Sequence, residues 1–301
     1  MLQAFAEKHE LSGEVRYIGS GYVNWVYAVG DNVIVRATKQ DMDPEDSYTE
    51  AVAVPAARVA GLRTPELLVF DDDRDAIDSV VTVYERADGV ALGSLRVDQS
   101  ELPSLYREFG REVGRLHSRV KEVDDPNGWL DEQYDYKLQQ EIDKAFDMNK
   151  LETVSYDWLC KWAQKLEPAT QSGFDKKFIH NDMHAANTMV LTDPLRLSAI
   201  IDWRDACWGD PAQDIVKTPV WAAPWSIEGY REEGGIVDEL FVGRVIVQNI
   251  GIAMDSLTGG WEDVGNTPWE PMSSSFFINL VRLMAMDLPD EWRPWMPDAP
   301  I

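Results

Sequence analysis

The amino-acid sequence predicts an α+β fold of two lobes, a small β-rich N-terminal lobe followed by a larger helical C-terminal lobe. The chain has 301 residues, which is longer than most domains that share a single hydrophobic core. Residues 14–38 alternate β-branched and aromatic residues between turn sequences, as short antiparallel strands do. After Gly89 the apolar residues recur at helical spacing instead.

The N-terminal lobe is predicted to be an antiparallel sheet with one helix. Residues 14–38 form three short strands joined by turns at 19–21 and 30–32, and residues 45–60 form a helix in which Pro55 should introduce a kink. Two more strands follow near 66–70 and 79–86. We therefore assign residues 1–88 to this lobe.

The C-terminal lobe, residues 89–301, is predicted to be mainly helical. Its first helix covers 102–120, where apolar residues recur every three or four positions. Further helical patterns lie near 133–150, 155–171, 211–222, 237–258 and 273–287, and three short strand-like segments lie at 177–180, 187–191 and 197–203.

The composition restricts the partners of the chain. It has 28 basic and 53 acidic residues, a net charge of −25. Such a surface repels nucleic acids and anionic membranes and attracts cationic small molecules, although high solubility or adaptation to salt would give the same charge. Two cysteines and the lack of a long apolar run predict a cytoplasmic protein without a signal peptide or membrane span.

The stretch "FIHNDMHAANTMV", residues 178–190, contains the main candidate site. Asp182 and Asn187 lie five positions apart, and Asp202 follows at the end of the apolar segment "SAIID". Phosphoryl transfer needs a carboxylate that accepts the proton of a hydroxyl, and oxygen ligands for magnesium. Asp182 and Asn187 alone could be turn formers, but Asp202 after an apolar strand favours a phosphoryl-transfer site.

Two segments carry a family resemblance. "HNDMHAAN" resembles the H-G-D-x-x-x-x-N catalytic loop of the aminoglycoside phosphotransferase and choline kinase superfamily, whose members are relatives of the protein kinases. "IIDWRDACWGDPAQDI" resembles the I-D-W-x-x-x-x-x-G-D-P-x-x-D segment of the same family. The resemblance extends over residues 14–220 and implies a bilobal, protein-kinase-like fold.

The resemblance also implies roles for residues of the catalytic loop. Asp182 corresponds to the catalytic base, and Asn187 and Asp202 correspond to ligands of Mg²⁺. His180 and Asp214 would support the loop structurally. Asn181 stands where the family usually has glycine, and asparagine tolerates left-handed backbone angles better than most residues.

By the same resemblance, ATP or GTP would bind to the N-terminal lobe. Arg36 takes the place of the usual phosphate-binding lysine, with Lys39 as the fallback, and Glu50 would pair with this cation. A tyrosine at the position of Tyr84 is associated with the use of GTP in aminoglycoside kinases. A plain hairpin turn is the alternative for residues 19–21, and a place on a solvated helix face is the alternative for Glu50. The predicted nucleotide-binding residues are Gly19, Ser20, Gly21, Arg36, Glu50, Tyr84, Glu85 and Ala87.

The predicted activity is the transfer of a phosphoryl group to a hydroxyl of a small molecule. An aminoglycoside is the first candidate, since the charge is negative and "WAAPWSIEGYREE" resembles the hygromycin phosphotransferases. A macrolide, a sugar, choline or homoserine is the alternative. The candidate acceptor-binding residues, each of which could also lie on a solvated helix, are Asp205, Trp225, Glu228 and Glu232.

Two other functions compete with this prediction. A kinase-like module that binds nucleotide without catalysis would be consistent with Arg36 and Asn181, but not with an intact set of Asp182, Asn187 and Asp202. A protein kinase is disfavoured because the Asp-Phe-Gly and Ala-Pro-Glu sequences are missing. Tryptophans that could line an acceptor pocket crowd the last third of the chain, namely Trp221, Trp225, Trp261, Trp269, Trp292 and Trp295. The sequence leaves the oligomeric state open.

Overall fold

The structure, a computed structural model, describes residues 2–133, 137–171, 173–259 and 273–298. Trp261 and Trp269 therefore lie outside the described residues. The fold is α+β, with an antiparallel sheet in its N-terminal part and mainly helices in its C-terminal part, as the sequence predicts.

The N-terminal part is a five-stranded antiparallel sheet with two helices. Its elements are α1 (Leu2–Lys8), β1 (Val15–Ser20), β2 (Asn24–Val29), β3 (Val33–Thr38), α2 (Glu45–Val59), β4 (Leu67–Asp71) and β5 (Val81–Glu85), and the strand order is β1-β2-β3-β5-β4. The predicted strands and the helix at 45–60 are confirmed, and α2 continues through Pro55. The sequence prediction missed α1.

Strand β3 connects a small hydrophobic core with the site. Val35 and Ala37 are buried together with Phe5 of α1 on one face of the sheet. Because successive side chains of a strand point to opposite faces, Arg36 lies on the other face, where it contacts Glu50 of α2. The alternation of β3 thus directs one basic side chain towards α2.

The C-terminal part contains most of the helices and the main core. Its elements are β6 (Val90–Ala91), α3 (Leu102–Arg119), β7 (Asp131–Glu132), α4 (Leu138–Asp147), α5 (Thr153–Gln171), β8 (Lys177–Ile179), β9 (Thr188–Thr192), β10 (Leu195–Ile200), β11 (Cys207–Gly209), α6 (Gln213–Val216), α7 (Ala223–Glu232), α8 (Phe241–Leu257) and α9 (Ser273–Met284). No helix within these described ranges is long and apolar enough to cross a membrane.

The predicted helix at 211–222 is wrong in its extent. Only Gln213–Val216 is α-helical there, a 3₁₀ turn covers Val220–Ala222, and α7 then begins at Ala223. Pro219 explains the break, because proline has no N–H to donate and disfavours helical angles at the residue before it.

The hairpin of β9 and β10 positions the catalytic loop. Residues 180–187 lead into β9, and β10 leads out to Asp202. Strand β6 pairs with β9 and so attaches the segment after β5 to this hairpin. Gly89 has φ +91°, and a Cβ there would lie 2.1 Å from the carbonyl oxygen of Val190, so this junction requires glycine. The division of the chain at residue 88, next to this junction, stays a prediction.

Candidate active site

A cavity of about 390 Å³ lies between the N-terminal sheet and the β9–β10 hairpin. Gly21 and Arg36 line it from the sheet, Glu50 lines it from α2, and Asp202 and Arg204 line it from the segment after β10. Its walls therefore combine apolar groups with charges of both signs, which suits a nucleotide with an aromatic base and an anionic tail.

Arg36 forms the cationic centre of this cleft. Its Nη1 lies 2.5 Å from Oε1 of Glu50, and its Nη2 lies 3.2 Å from Oδ1 of Asp202. The hydroxyl of Tyr84 donates a hydrogen bond of 2.6 Å to the other carboxylate oxygen of Glu50. Burial and the charge of Glu50 raise the pKa of Tyr84 well above its ordinary value, so the hydroxyl stays protonated and donates.

Two residues of the site, one in the loop before β9 and one after β10, have left-handed backbone angles. Asn181 has φ +65°, and Asp202 has φ +69°. Asparagine and aspartate adopt this region more readily than other non-glycine residues. Asn181 thus supplies the conformation for which the related sequences use glycine.

Asp214 anchors the beginning of the loop. Its carboxylate accepts hydrogen bonds from the backbone N–H groups of His180 (2.9 Å) and Asn181 (2.7 Å). Nε2 of His117 lies 3.0 Å from the same carboxylate. The buried ring of His180 contacts the carbonyl oxygen of Ile201 at 3.1 Å, which ties the loop to the residue before Asp202. The supporting roles of His180 and Asp214 stay predictions. If they hold, these hydrogen bonds are the means by which the two residues support the loop.

The carboxylate of Asp182 is held on both oxygens. Lys217 Nζ lies 2.6 Å from Oδ1, and Asn187 Nδ2 donates a hydrogen bond of 2.9 Å to Oδ2. His184 Nε2 lies 3.4 Å from Oδ2. Burial would raise the pKa of Asp182, but the contact with His184 and the charge of Lys217 outweigh it and hold the pKa well below its ordinary value. Asp182 is therefore an oriented, ionised acceptor.

Asn187 and Asp202 offer oxygen donors that fit magnesium. The amide of Asn187 directs its Nδ2 to Asp182, and among the described residues no group donates a hydrogen bond to its Oδ1. The backbone N–H of Ile201 donates to the carbonyl of Asn187, which brings the segments of Asn187 and Asp202 together. The described residues contain no cluster of three or more His, Cys, Asp or Glu that could hold a metal alone. Two protein oxygens completed by phosphates are a common way to bind Mg²⁺.

The other predicted nucleotide-binding residues differ in their positions. Gly21, Glu85 and Ala87 line the cavity together with Tyr84, whereas Gly19 and Ser20 belong to β1 and are not among its described lining residues. Lys39 does not point to the cavity: its ammonium donates to the carbonyls of Gly21 and Tyr22 and so closes the turn after β1. Arg36 is therefore the cation of this strand that faces Asp202.

Two of the predicted acceptor residues, Glu228 and Glu232, are paired with arginines of α3. Arg111 Nε lies 2.6 Å from the carboxylate of Glu232, and Arg107 contacts Glu232 and lies 3.7 Å from Glu228. The roles of these two acids in binding a cationic acceptor stay predictions, and an acceptor would compete there with the arginines of α3.

The other two candidates are placed differently. The ring of Trp225 packs edge-on against Trp221 at 6.0 Å and contacts the main core. Asp205 is half-exposed and 3.2 Å from Nε of Arg204, a residue that lines the cleft. Asp205 stays a prediction as an acceptor residue, and the structure adds nothing in favour of Trp225.

Three residues of the site were missed from the sequence. Lys217 contacts Asp182, and His184 contacts the same carboxylate. Arg204 lies in the cleft between Asp46 (3.4 Å) and Asp205. Lys217 lies three positions after Asp214 of the "GDPAQDI" segment. That spacing places both residues on one side of a helical turn. It was the signal in the sequence that could have placed Lys217 at the site.

A family model matches most of the chain. The APH model of the phosphotransferase enzyme family matches residues 14–236. No curated protein matches the chain.

Solved structures share the fold at low sequence identity. A choline/ethanolamine kinase family protein from Mesorhizobium loti is 18% identical, with a TM-score of 0.58 and 98% of each chain covered. The GDP complex of aminoglycoside 2'-phosphotransferase-IIIa is 15% identical, with a TM-score of 0.61 and coverage of 91% of this chain and 92% of that one. A macrolide 2'-phosphotransferase from Brachybacterium faecium is 16% identical, with a TM-score of 0.56 and coverage of 96% and 98%. With the family model covering most of its length, the chain belongs to the APH family of phosphotransferase enzymes and uses a hydroxyl group as the acceptor.

Proposed function

We propose that this enzyme transfers the γ-phosphoryl group of ATP or GTP to a hydroxyl of a small cationic molecule, with an aminoglycoside as the first candidate. The observation that carries the proposal is the oriented carboxylate of Asp182, next to the oxygen donors of Asn187 and Asp202 and to a cleft that contains Arg36. A carboxylate, two metal ligands and a phosphate-facing cation are the parts that phosphoryl transfer requires.

Each residue has a defined task in this reaction. Asp182 binds the acceptor hydroxyl and takes its proton while the hydroxyl oxygen forms a bond to the γ-phosphorus. The bond from the γ-phosphorus to the bridging oxygen breaks, and the nucleoside diphosphate leaves with that oxygen. Arg36, held by Glu50, stabilises the charge of the phosphates. Asn187 and Asp202 would hold Mg²⁺, whose chemistry there would be to neutralise negative charge on the phosphates.

The donor is a purine nucleoside triphosphate that binds against the segment Tyr84–Ala87. Two structural neighbours support this, since they are described as a streptomycin–ATP complex and as a GDP complex. Backbone groups of Glu85 and Ala87 would bind the base, and the ring of Tyr84 would form the back of its pocket.

The acceptor class is supported by charge and by the neighbours. The net charge of −25 steers cations towards the protein, and neighbours are described as complexes with gentamicin and with kanamycin. The macrolide 2'-phosphotransferase among them supports a macrolide as the second candidate. Of the predicted acids, Asp205 lies next to the cleft, 3.2 Å from Nε of Arg204, which lines it. We place the reaction in the cytoplasm, consistent with two free cysteines, Cys160 and Cys207.

A panel of acceptors tests the proposal. The purified enzyme is incubated with ATP or GTP, magnesium and each of several aminoglycosides, macrolides, sugars, choline and homoserine, and release of nucleoside diphosphate is followed. We expect an aminoglycoside to stimulate release, and we expect this stimulation to weaken as salt rises, because long-range steering is screened. Turnover of a neutral metabolite without any response to aminoglycosides would overturn the acceptor class and leave the phosphotransferase assignment in place.

A further inference from the structure

We propose that Lys217 is a positioning residue of the reaction: its ammonium fixes the carboxylate of Asp182 and compensates its charge, so that a nucleoside triphosphate can bind beside it. This inference rests on the proposed function. Lys217 lies outside the segments that carry the family resemblance to the catalytic loop and the metal ligands, and its role follows from the contact that the fold creates.

The first argument is geometric. Asp182 and Lys217 are 35 positions apart, yet Nζ lies 2.6 Å from Oδ1. Asn187 holds Oδ2 at 2.9 Å, so each carboxylate oxygen accepts from a different segment of the chain. A carboxylate oxygen has two acceptor sites, and His184 Nε2 also lies 3.4 Å from Oδ2, so the site that remains for the acceptor hydroxyl is on Oδ1. A rotation of the carboxylate would break the contact with Lys217 or the contact with Asn187, which fixes the direction of the remaining site.

The second argument concerns the element that carries the lysine. Lys217 is the residue directly after α6, and Asp214 lies within α6. Asp214 binds the backbone N–H groups of His180 and Asn181, while Lys217 binds the side chain of Asp182. One turn of chain thus holds both the backbone of the loop and its reacting group. This arrangement keeps the carboxylate fixed relative to the loop that presents it.

The third argument is electrostatic. A triphosphate adds several negative charges next to Asp182 and Asp202, and like charges in a partly buried site repel strongly. Arg36 already faces Glu50 and Asp202. Lys217 faces Asp182, whose side chain is only 10% exposed and gains little screening from solvent. Without Lys217, the carboxylate would oppose the approach of the γ-phosphate.

Arg204 does not replace Lys217 in this task. Its guanidinium is compensated by Asp46 at 3.4 Å and by Asp205 at 3.2 Å. Both contacts lie on the side of the nucleotide cleft, which Asp46 and Arg204 line. Lys217 is therefore the residue whose removal should change the reaction through Asp182.

Binding experiments test the electrostatic role without any need for turnover. The affinities of the wild type, Lys217→Met, Asp182→Asn and the double variant are measured for a non-hydrolysable ATP analogue and for ADP, with magnesium. We expect Lys217→Met to lower the affinity for the triphosphate analogue roughly tenfold and to leave the affinity for ADP unchanged. The reason is that the γ-phosphate, which ADP lacks, would be the phosphate next to Asp182. The double variant should recover most of this affinity, since it removes both charges. Equal losses for the two nucleotides, or no recovery in the double variant, would overturn the electrostatic role.

Turnover tests the positioning role. With an acceptor that the wild type uses, Lys217→Met should lower kcat roughly 10²-fold with a small change in the acceptor KM, which is the effect expected of a misplaced reacting group. Lys217→Arg keeps the charge and should recover part of kcat. Lys165→Met is the matched control, because Lys165 pairs with exposed Asp298, and it should match the wild type.

The outcomes separate this inference from the proposed function. A normal kcat of Lys217→Met would overturn the inference while phosphoryl transfer stands. A second outcome is that the wild type binds the triphosphate analogue but transfers phosphate to no acceptor, while the double variant recovers its affinity for the analogue. That outcome would overturn the proposed function and support the charge pairing of Lys217 with Asp182. If Lys217→Met lowers the Tm and weakens the binding of both nucleotides by the same factor, the lysine is purely structural and the inference is overturned.

Discussion

Replacing Glu50 by alanine should destabilise the protein and weaken nucleotide binding together. Glu50 is 1% exposed and accepts from Arg36 Nη1 at 2.5 Å and from the Tyr84 hydroxyl at 2.6 Å. Breaking a buried ion pair by removing one partner costs about 3–5 kcal/mol of folding free energy, because the other charge stays buried. Asp202 remains 3.2 Å from Arg36 and offsets part of this loss. We therefore expect the lower half of that range, about 3–4 kcal/mol.

The measurement combines thermal unfolding with nucleotide titration. A loss of this size in a chain of 301 residues corresponds to a fall in Tm of roughly 5–6 °C. Glu45→Ala is the matched control, since Glu45 is an exposed residue in the first turn of the same helix and should change stability by less than about 0.5 kcal/mol. Glu50→Gln keeps the shape of the side chain and separates charge from packing. A Glu50→Ala protein with the Tm and the nucleotide affinity of the control would refute the reasoning.

Three further variants test other parts of the account. Asp202→Ala should raise the magnesium concentration needed for half-maximal turnover roughly tenfold, and an unchanged metal dependence would exclude Asp202 as a ligand. Tyr84→Leu should change the preference between ATP and GTP, whereas Tyr84→Phe, which keeps the bulk of the ring, should not. Equal use of both donors by all three proteins would leave Tyr84 without this role. Gly110→Ala should cost about 1–3 kcal/mol or more, because its Cβ would lie 1.9 Å from the carbonyl oxygen of Ser226. Gly173→Ala, with nothing within 4 Å, is its control, and equal Tm values for both would contradict the close packing of α3 on α7.

Sequence patterns predicted the elements whose periodicity is strong. The three strands of residues 14–38 alternate clearly, and the helix from Leu102 to Arg119 has one apolar stripe, so local physics decides both. Helix α7 was missed because its sequence, "APWSIEGYRE", has a proline at the start and a glycine in the middle. Its stability comes from packing on α3, where Gly110 and Gly229 allow the backbones to approach closely. A close approach between distant segments leaves no periodic signal in the sequence.

The residues of the site were predictable to the degree that they form a motif. Asp182, Asn187 and Asp202 lie in segments that resemble a family pattern, and the position of Asp202 after an apolar strand favours a shared chemistry over a plain turn. Lys217 and Glu232 show the limit of this reasoning. A charged residue can be counted in the sequence, but its partner depends on the fold. Lys217 meets Asp182, whereas Glu232 meets Arg111 and is compensated there.

The central claim is that Asp182 accepts the proton of an acceptor hydroxyl during phosphoryl transfer. The most direct measurement compares the wild type with Asp182→Asn in acceptor-stimulated release of nucleoside diphosphate, with nucleotide affinity determined for both. The account predicts a fall in kcat of roughly 10²–10⁴-fold, because the amide cannot take the proton, and an affinity for the nucleotide that is not reduced. Near-normal turnover by Asp182→Asn would contradict the account.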